Sequence, residues 1–477
     1  MTAVGPLDAM FLLGETREQP MHVGGLMLFD LPEGAGRDHV FPEEAGRDYF
    51  ARLYREVIDG QTIHPEFGRR VRRRPVDLGY WSWEQDPEID LEYHVRLSGL
   101  ARPGRFRDLF ELTSRLHSTL LDRHRPLWEM HLIEGVQGRR FAIYCKIHHS
   151  MMDGVTALRW LQATLSTDPD RLGMPLTYAL PDQAAVPVPE AGLSPAALLS
   201  AAGRVTGGAG RLLADLAGLS PVGLRSAVHA LRAEHSAVAF QAPRTIFNGP
   251  ITGARRFAAQ SWSMERLEKV RASTGATLND VMLTMCSGAL RNYLLELGAL
   301  PDKPLTAMVP VSLRGADDDI TVAPGGANSL ATLLCDLATD QPDPARRIQR
   351  VMDSTAYGKG VLSQLSPQQN LMIGALGLGS AGPAAVLPGL AGRTPPPYNL
   401  VISNIPGPLE STLYWNRSKL IGMYPASIVL NGQALNISVT SYNQQLHVGL
   451  VGCRRSVPHL QHLLGHLETS LAELERL

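Results

Sequence analysis

The stretch Phe141-Ala-Ile-Tyr-Cys-Lys-Ile147 runs directly into His148-His149-Ser-Met-Met-Asp153-Gly154. This handover limits the fold more than any other feature of the chain. After a turn at Gly138, Phe141, Ile143, Cys145 and Ile147 fall on every second position, the period of a strand. Beyond Asp153-Gly154, the residues Val155, Leu158, Leu161 and Leu165 recur at helical spacing. A strand passing so abruptly into a helix places the residues between them at the end of a sheet, where a cleft can form.

The same mixture continues through both halves. His22–Asp30 predicts a short buried strand between Pro20 and Pro32, and residues 47–59 predict a helix. A helix is expected over 106–121, with Leu109, Leu112, Leu116 and Leu120 on one side. Later helices are expected from Ser263, from Thr277 and near the C-terminus, where Leu460, Leu463, Leu467, Leu471 and Leu474 repeat. Strands are expected at 305–312 and 398–403, and a hairpin at 435–440 and 446–451. Between these halves the composition shifts to Ala, Gly, Leu and Pro, with two amphipathic helices expected near 196–216 and 222–234. The expected organisation is therefore α/β twice over: an N-terminal domain at 1–185, a helical linker at 186–245 and a C-terminal domain at 246–477.

Composition removes several function classes. The 477 residues carry a formal net charge of -1, without the basic excess that a nucleic-acid partner requires. Cys145, Cys286, Cys335 and Cys453 are far apart in apolar surroundings, which points to buried free thiols rather than a disulfide framework or a zinc site. The N-terminus has neither the basic nor the apolar segment of a signal peptide, so a cytoplasmic location is expected. The uncharged Gly360–Gly392 segment is broken by Pro383, Pro388 and several glycines, which suits a loop or a lipid-touching surface better than a spanning helix. The basic run Arg69–Arg74 is read either as a solvated edge or as a phosphate contact.

The chemistry concentrates at His148–Gly154. A neutral imidazole at a strand end can take a proton from a hydroxyl near neutral pH. Asp153 can hold the loop in shape, and Gly154 permits close backbone approach. A metal site is disfavoured, because adjacent histidines on an extended chain point in opposite directions and no further His or Cys stands at ligand spacing. A Ser-His-Asp hydrolase of the G-x-S-x-G type is disfavoured because that elbow is absent.

His-His-x-x-x-Asp-Gly resembles the active-site motif of the coenzyme-A-dependent acyltransferases related to chloramphenicol acetyltransferase. Its company narrows the resemblance: Pro6-Leu-Asp-Ala-Met-Phe11, Met21-His-Val-Gly-Gly25, Pro126-Leu-Trp128-Glu129, Asn279-Asp280, Pro310-Val-Ser-Leu-Arg314 and Ser403-Asn404-Ile-Pro-Gly-Pro408. Together these resemble the bacterial wax ester synthase/diacylglycerol acyltransferase family. The resemblance implies two chloramphenicol-acetyltransferase-like domains with mixed sheets flanked by helices, joined by a helical crossover, with the site in a tunnel between them. It implies acyl-CoA as co-substrate, no cofactor and no metal, and diacylglycerol or a long-chain alcohol as acceptor. Peripheral contact with a membrane or lipid droplet is expected. His149 would be the general base beside His148, with Asp153 structural and paired to Arg314. Asn279 would stand near the reacting carbonyl, and Trp128, Gly154 and Asn404 would shape the substrate tunnel. Two rivals are a carrier-protein-dependent condensation enzyme and a non-catalytic lipid-droplet protein.

Overall fold

A computed structural model describes residues 2–32, 42–59, 62–73, 81–180, 241–312, 330–363 and 395–477. The expected linker helices, most of the Gly360–Gly392 segment, Arg74 and Arg314 lie outside these described residues.

Fifteen strands are described: β1 (Thr2–Ala3), β2 (His22–Asp30), β3 (Arg69–Arg73), β4 (Trp81–Gln85), β5 (Val95–Gly99), β6 (Trp128–Val136), β7 (Arg140–His148), β8 (Arg255–Ser263), β9 (Thr306–Ser312), β10 (Leu330–Asp336), β11 (Leu400–Ile405), β12 (Tyr414–Trp415), β13 (Ser418–Ala426), β14 (Leu435–Tyr442) and β15 (Gln445–Cys453). They form two six-stranded sheets, in the orders β12-β13-β2-β7-β6-β5 and β10-β9-β11-β14-β15-β8, and a small sheet β1-β4-β3. Both large sheets are mixed. β5 runs parallel to β6 in the first, and β11 runs parallel to both neighbours in the second, while all other pairs are antiparallel.

The sheets do not divide at one point in the sequence. β12 and β13 come from the second half of the chain yet complete the first sheet, where β13 pairs with β2 from Leu420↔Phe29 to Ala426↔Gly24. β13 also lies against β14 and β15 of the second sheet. The approach is close enough that a Cβ on Gly449 would overlap the Pro425 carbonyl.

The local logic is legible in the termini. Thr277 caps the helix Leu278–Glu296, with its hydroxyl accepting from the Asp280 N–H, while the Asp280 carboxylate returns a bond to Thr277 N at 3.0 Å. That helix is apolar nearly all round because neighbouring helices pack on several sides, including His462–Leu474 and Pro344–Ser363. The β14–β15 hairpin turns through Asn443 and Gln444, both at positive φ (44° and 56°), the backbone twist a two-residue hairpin loop demands.

The faces of β7 separate the two cores. Phe141, Ile143, Cys145 and Ile147 join one apolar cluster, with Val23, Met27 and Phe29 of β2. Ala142 and Tyr144 face the other, which continues into the second sheet. Lys146 lies on that second face, fully buried. Its ammonium donates to the carbonyls of Leu116 (3.2 Å) and Thr119 (2.9 Å) at the end of the helix Phe106–Ser118, and pairs with Glu129 at 3.2 Å.

Candidate active site

The strand β7 ends where its sequence predicts. The His148 N–H donates to the Leu127 carbonyl (2.9 Å), and the His149 N–H donates to the Met21 carbonyl (2.8 Å). The chain then turns, with Met151 N–H donating to the His148 carbonyl at 2.9 Å. Asp153 is the N-cap of the helix Gly154–Ala163 and accepts from the Thr156 N–H at 2.7 Å. Gly154 opens that helix. A Cβ there would meet nothing within 4 Å, so the glycine leaves an open side to the turn.

The two histidines differ in kind. His148 is sealed in: its Nδ1 accepts from the Ser150 N–H (3.1 Å) and lies 2.7 Å from the Ser150 hydroxyl, and its Nε2 is 3.4 Å from a Glu15 carboxylate oxygen. His149 is only half-buried, with its ring stacked on Phe11 at 4.1 Å between centroids. Burial pulls the His149 imidazole below the ordinary histidine value. The Asp153 charge and a hydrogen bond to the residue's own carbonyl pull it back up, and His148 pulls it down. A neutral imidazole always carries one ring nitrogen with a lone pair, so a His149 held below the ordinary value can accept a proton.

Sequence reasoning assigned no role to the N-terminal helix Pro6–Gly14, yet it forms one wall of the site. Asp8, Phe11 and Glu15 recur at i, i+3 and i+7, which was the available signal. Phe11 stacks on His149. Burial pushes the Asp8 carboxyl up to about 6, with Arg69 opposing and Asp153 adding to the shift. Glu15 is bound by Arg123 at 3.0 Å and accepts from the Met21 N–H at 3.2 Å. Burial alone would raise its carboxyl, but His148, Met21 and Arg123 together hold it below the usual range. Removing the Phe11 ring by Phe11→Ala should loosen the imidazole. At about 0.5–1.5 kcal/mol for a ring pair, kcat should fall roughly 2- to 10-fold with little change in melting temperature. An unchanged kcat would show that the stacking of Phe11 on His149 does not matter for turnover.

The remaining expected residues are placed unequally. Asn404 stands half-buried on β11, opposite Val439. The turn that follows it touches the motif's own helix, since a Cβ on Gly407 would lie 3.2 Å from Gln162 Nε2. Trp128 departs from its expected tunnel role. It has no exposed surface, its indole N–H donates to the Phe67 carbonyl at 2.8 Å, and its ring stacks on His94 and Tyr178, so it packs the core under β7. Asn279 is half-buried in the first turn of the helix Leu278–Glu296. Among the described residues, no hydrogen bond or ion pair connects it to His148–Gly154. Its neighbour Asp280 serves the helix cap and accepts from the Thr355 hydroxyl at 2.6 Å. The basic run forms β3, where Arg70 pairs with Asp86 (3.3 Å), Arg72 with Glu84 (3.0 Å), and Arg69 with Glu66 while its guanidinium covers Trp83. These arginines are committed within the protein, which weakens their case as phosphate ligands. All four cysteines are free and buried.

The fold of two mixed sheets is shared with condensation domains of antibiotic synthetases. The first condensation domain of the calcium-dependent antibiotic synthetase superposes with a TM-score of 0.53 at 17% identity, covering 99% of this chain and 96% of that one. The chain belongs to the wax ester synthase/diacylglycerol acyltransferase family: residues 4–282 match its catalytic domain and residues 326–475 its C-terminal domain. A Mycobacterium tuberculosis protein named "Probable diacylglycerol O-acyltransferase" is 46% identical over 480 residues, covering 100% of this chain and 99% of its own. The wax ester synthase/diacylglycerol acyltransferase from Marinobacter aquaeolei VT8 is 38% identical, with a TM-score of 0.77 over 100% of this chain and 99% of that one. The chain is thus an acyltransferase of this family, with the mixed α/β fold that its sequence predicts.

Proposed function

We propose that the protein transfers a fatty acyl group from acyl-CoA to the hydroxyl of diacylglycerol or a long-chain alcohol, with His149 as general base. The observation that carries this reading is the state of His149: half-open, stacked on Phe11, and drawn by burial toward the neutral form, which has a ring nitrogen able to accept a proton. That nitrogen takes the proton of the acceptor hydroxyl as its oxygen attacks the thioester carbonyl. The C–S bond breaks, and the imidazolium returns the proton to the thiolate of coenzyme A. A thioester is already activated, so one base and good orientation suffice. The family relatives named above, whose names carry this transfer, support the reading.

Contact with a lipid surface belongs to the same proposal. No helix of the described residues is long and apolar enough to cross a membrane. The helix Pro6–Gly14, which presents Phe11 to His149, also exposes Met10 (48%) and Leu13 (64%), apolar groups suited to a lipid surface beside the site.

Purified protein given palmitoyl-CoA with dioleoylglycerol or hexadecanol should release CoA and form ester. A folded protein that releases no CoA with either alcohol would overturn the reading. Turnover confined to carrier-bound acyl groups would assign it to condensation chemistry instead.

The pH dependence follows from the geometry. Only neutral His149 can act as base, so the rate should be lost as pH falls through its pKa, on a limb below the ordinary value near 6.5. Asp153→Asn keeps a capping side chain but removes the charge that raises His149, so this limb should move to lower pH. Asp153→Ala also loses the cap and should cost about 1 kcal/mol of stability. A limb that stays in place in Asp153→Asn would separate Asp153 from the base.

A further inference from the structure

A second hydroxyl–imidazole pair lies between the two sheets, away from the His148–Gly154 turn. Ser261 of β8 and His447 of β15 are direct cross-strand partners, and the serine Oγ is 2.7 Å from His447 Nδ1. The other ring nitrogen, Nε2, lies 3.3 Å from the Tyr442 carbonyl. A carbonyl only accepts, so Nε2 carries the proton and Nδ1 offers its lone pair to the Ser261 O–H. The Tyr424 hydroxyl of β13 is 3.1 Å from the same Oγ. His447 is fully buried, whereas Ser261 and Tyr424 each keep part of their surface open.

We propose that Ser261 and His447 form a second reaction centre, a serine–histidine dyad that cleaves carboxylic esters and thioesters. The arrangement meets the requirement for an activated nucleophile: a base within hydrogen-bond reach, itself oriented by a third group. Burial pulls the His447 imidazole down to about 4, with the Tyr442 carbonyl opposing, so it is neutral and able to accept at pH 7.

Donors for the developing oxyanion are also in place. The N–H groups of Arg255 and Phe257 point off the outer edge of β8 toward the helix Phe106–Ser118, donating to Ser118 and Ser114 (each 2.8 Å). By the alternation of an antiparallel ladder, the Ser261 N–H points off the same edge. Burial keeps Tyr424 protonated, so its O–H is a second donor.

An open cavity lies further along the same sheet face. Ser263 and Gln445, the next pair on that face and about 7 Å along the strands, line this cavity of about 460 Å³ with Met264, Glu268, Leu409 and Gln444.

In the reaction, Ser261 Oγ attacks the carbonyl carbon while its proton passes to His447 Nδ1. The bond to the leaving alkoxide or thiolate breaks, and that group takes the proton. Water then gives a proton to Nδ1 and its oxygen to the acyl carbon, releasing the carboxylic acid and restoring the serine.

The test uses the full chain, a fluorophosphonate probe with peptide mapping, and hydrolysis of p-nitrophenyl butyrate. Wild type and His149→Ala should both be labelled on Ser261. Ser261→Ala should lose the label, and its hydrolysis should fall about 100-fold or more at an unchanged melting temperature. His447→Phe should lose labelling while Ser261 is still present. A folded wild-type protein unlabelled at Ser261, or hydrolysis that survives Ser261→Ala, would overturn the proposal and leave the trio as a hydrogen-bonded bridge between the sheets.

Discussion

Replacing His149 with alanine should leave a folded protein whose acyl transfer is slower by about 10²–10⁴-fold, the usual contribution of a positioned base. The half-open ring supports no strand pairing through its side chain, since the backbone bond to Met21 survives the change. His148→Ala should behave in the opposite way. His148 is sealed against Ser150 and Glu15, so its removal leaves buried polar groups unmet and should cost about 1–3 kcal/mol. Its effect on turnover of the surviving folded fraction should be the smaller one. Measuring kcat beside the melting temperature for both variants separates chemistry from support. Equal losses of kcat at equal melting temperature would sink the single-base assignment.

Lys146→Met should be the most destabilising change described here, by about 3 kcal/mol, because it leaves the buried Glu129 carboxylate with only the longer contacts to Arg96 and His131. All three ammonium protons of Lys146 have acceptors, two of them carbonyls at the negative end of the helix Phe106–Ser118. Burial still holds this ammonium below its usual value despite Glu129, so the intact pair adds little net stability and the large effect lies in breaking it. The double variant Lys146→Met/Glu129→Leu should therefore recover much of the loss. Denaturant unfolding of both variants checks this, and a single variant within 1 kcal/mol of wild type would contradict it.

The same carboxylate predicts an acid sensitivity. Burial alone would raise Glu129, but His131, Lys146 and Arg96 outweigh it and bring the group to about 2. A depressed carboxylate contributes stability that is complete above its unfolded value near 4.5 and is lost as pH falls toward about 2. Unfolding curves taken between those limits should show the decline.

The elements legible in the sequence were those with a local cause. β2 spans His22–Asp30 as its flanking prolines predict, and the Thr277 cap starts its helix. β7 was readable because its two faces differ even though both are buried. Two of the strands that went unassigned, β8 and β13, take their place from partners distant in sequence. Half of the site was similarly hidden. His148, His149 and Asp153 share one turn, whereas Phe11, Glu15 and Arg123 reach it from over a hundred positions upstream or through a tertiary ion pair. Ser261 and His447 carry no local motif at all, because their proximity exists only across a strand pair.

The exchange of β12 and β13 into the first sheet has a consequence for biosynthesis. On the ribosome, β2 has its β7 partner once residue 148 has emerged, but its other edge waits for Ser418–Ala426. Until then the nascent chain exposes an apolar strand edge, which favours pairing with another chain. A fragment ending at the linker should therefore aggregate when made alone, and a separately made fragment carrying β12 and β13 should rescue it by strand complementation. The His148–Gly154 turn lies wholly in the first half, but its scaffold closes only when translation is nearly complete.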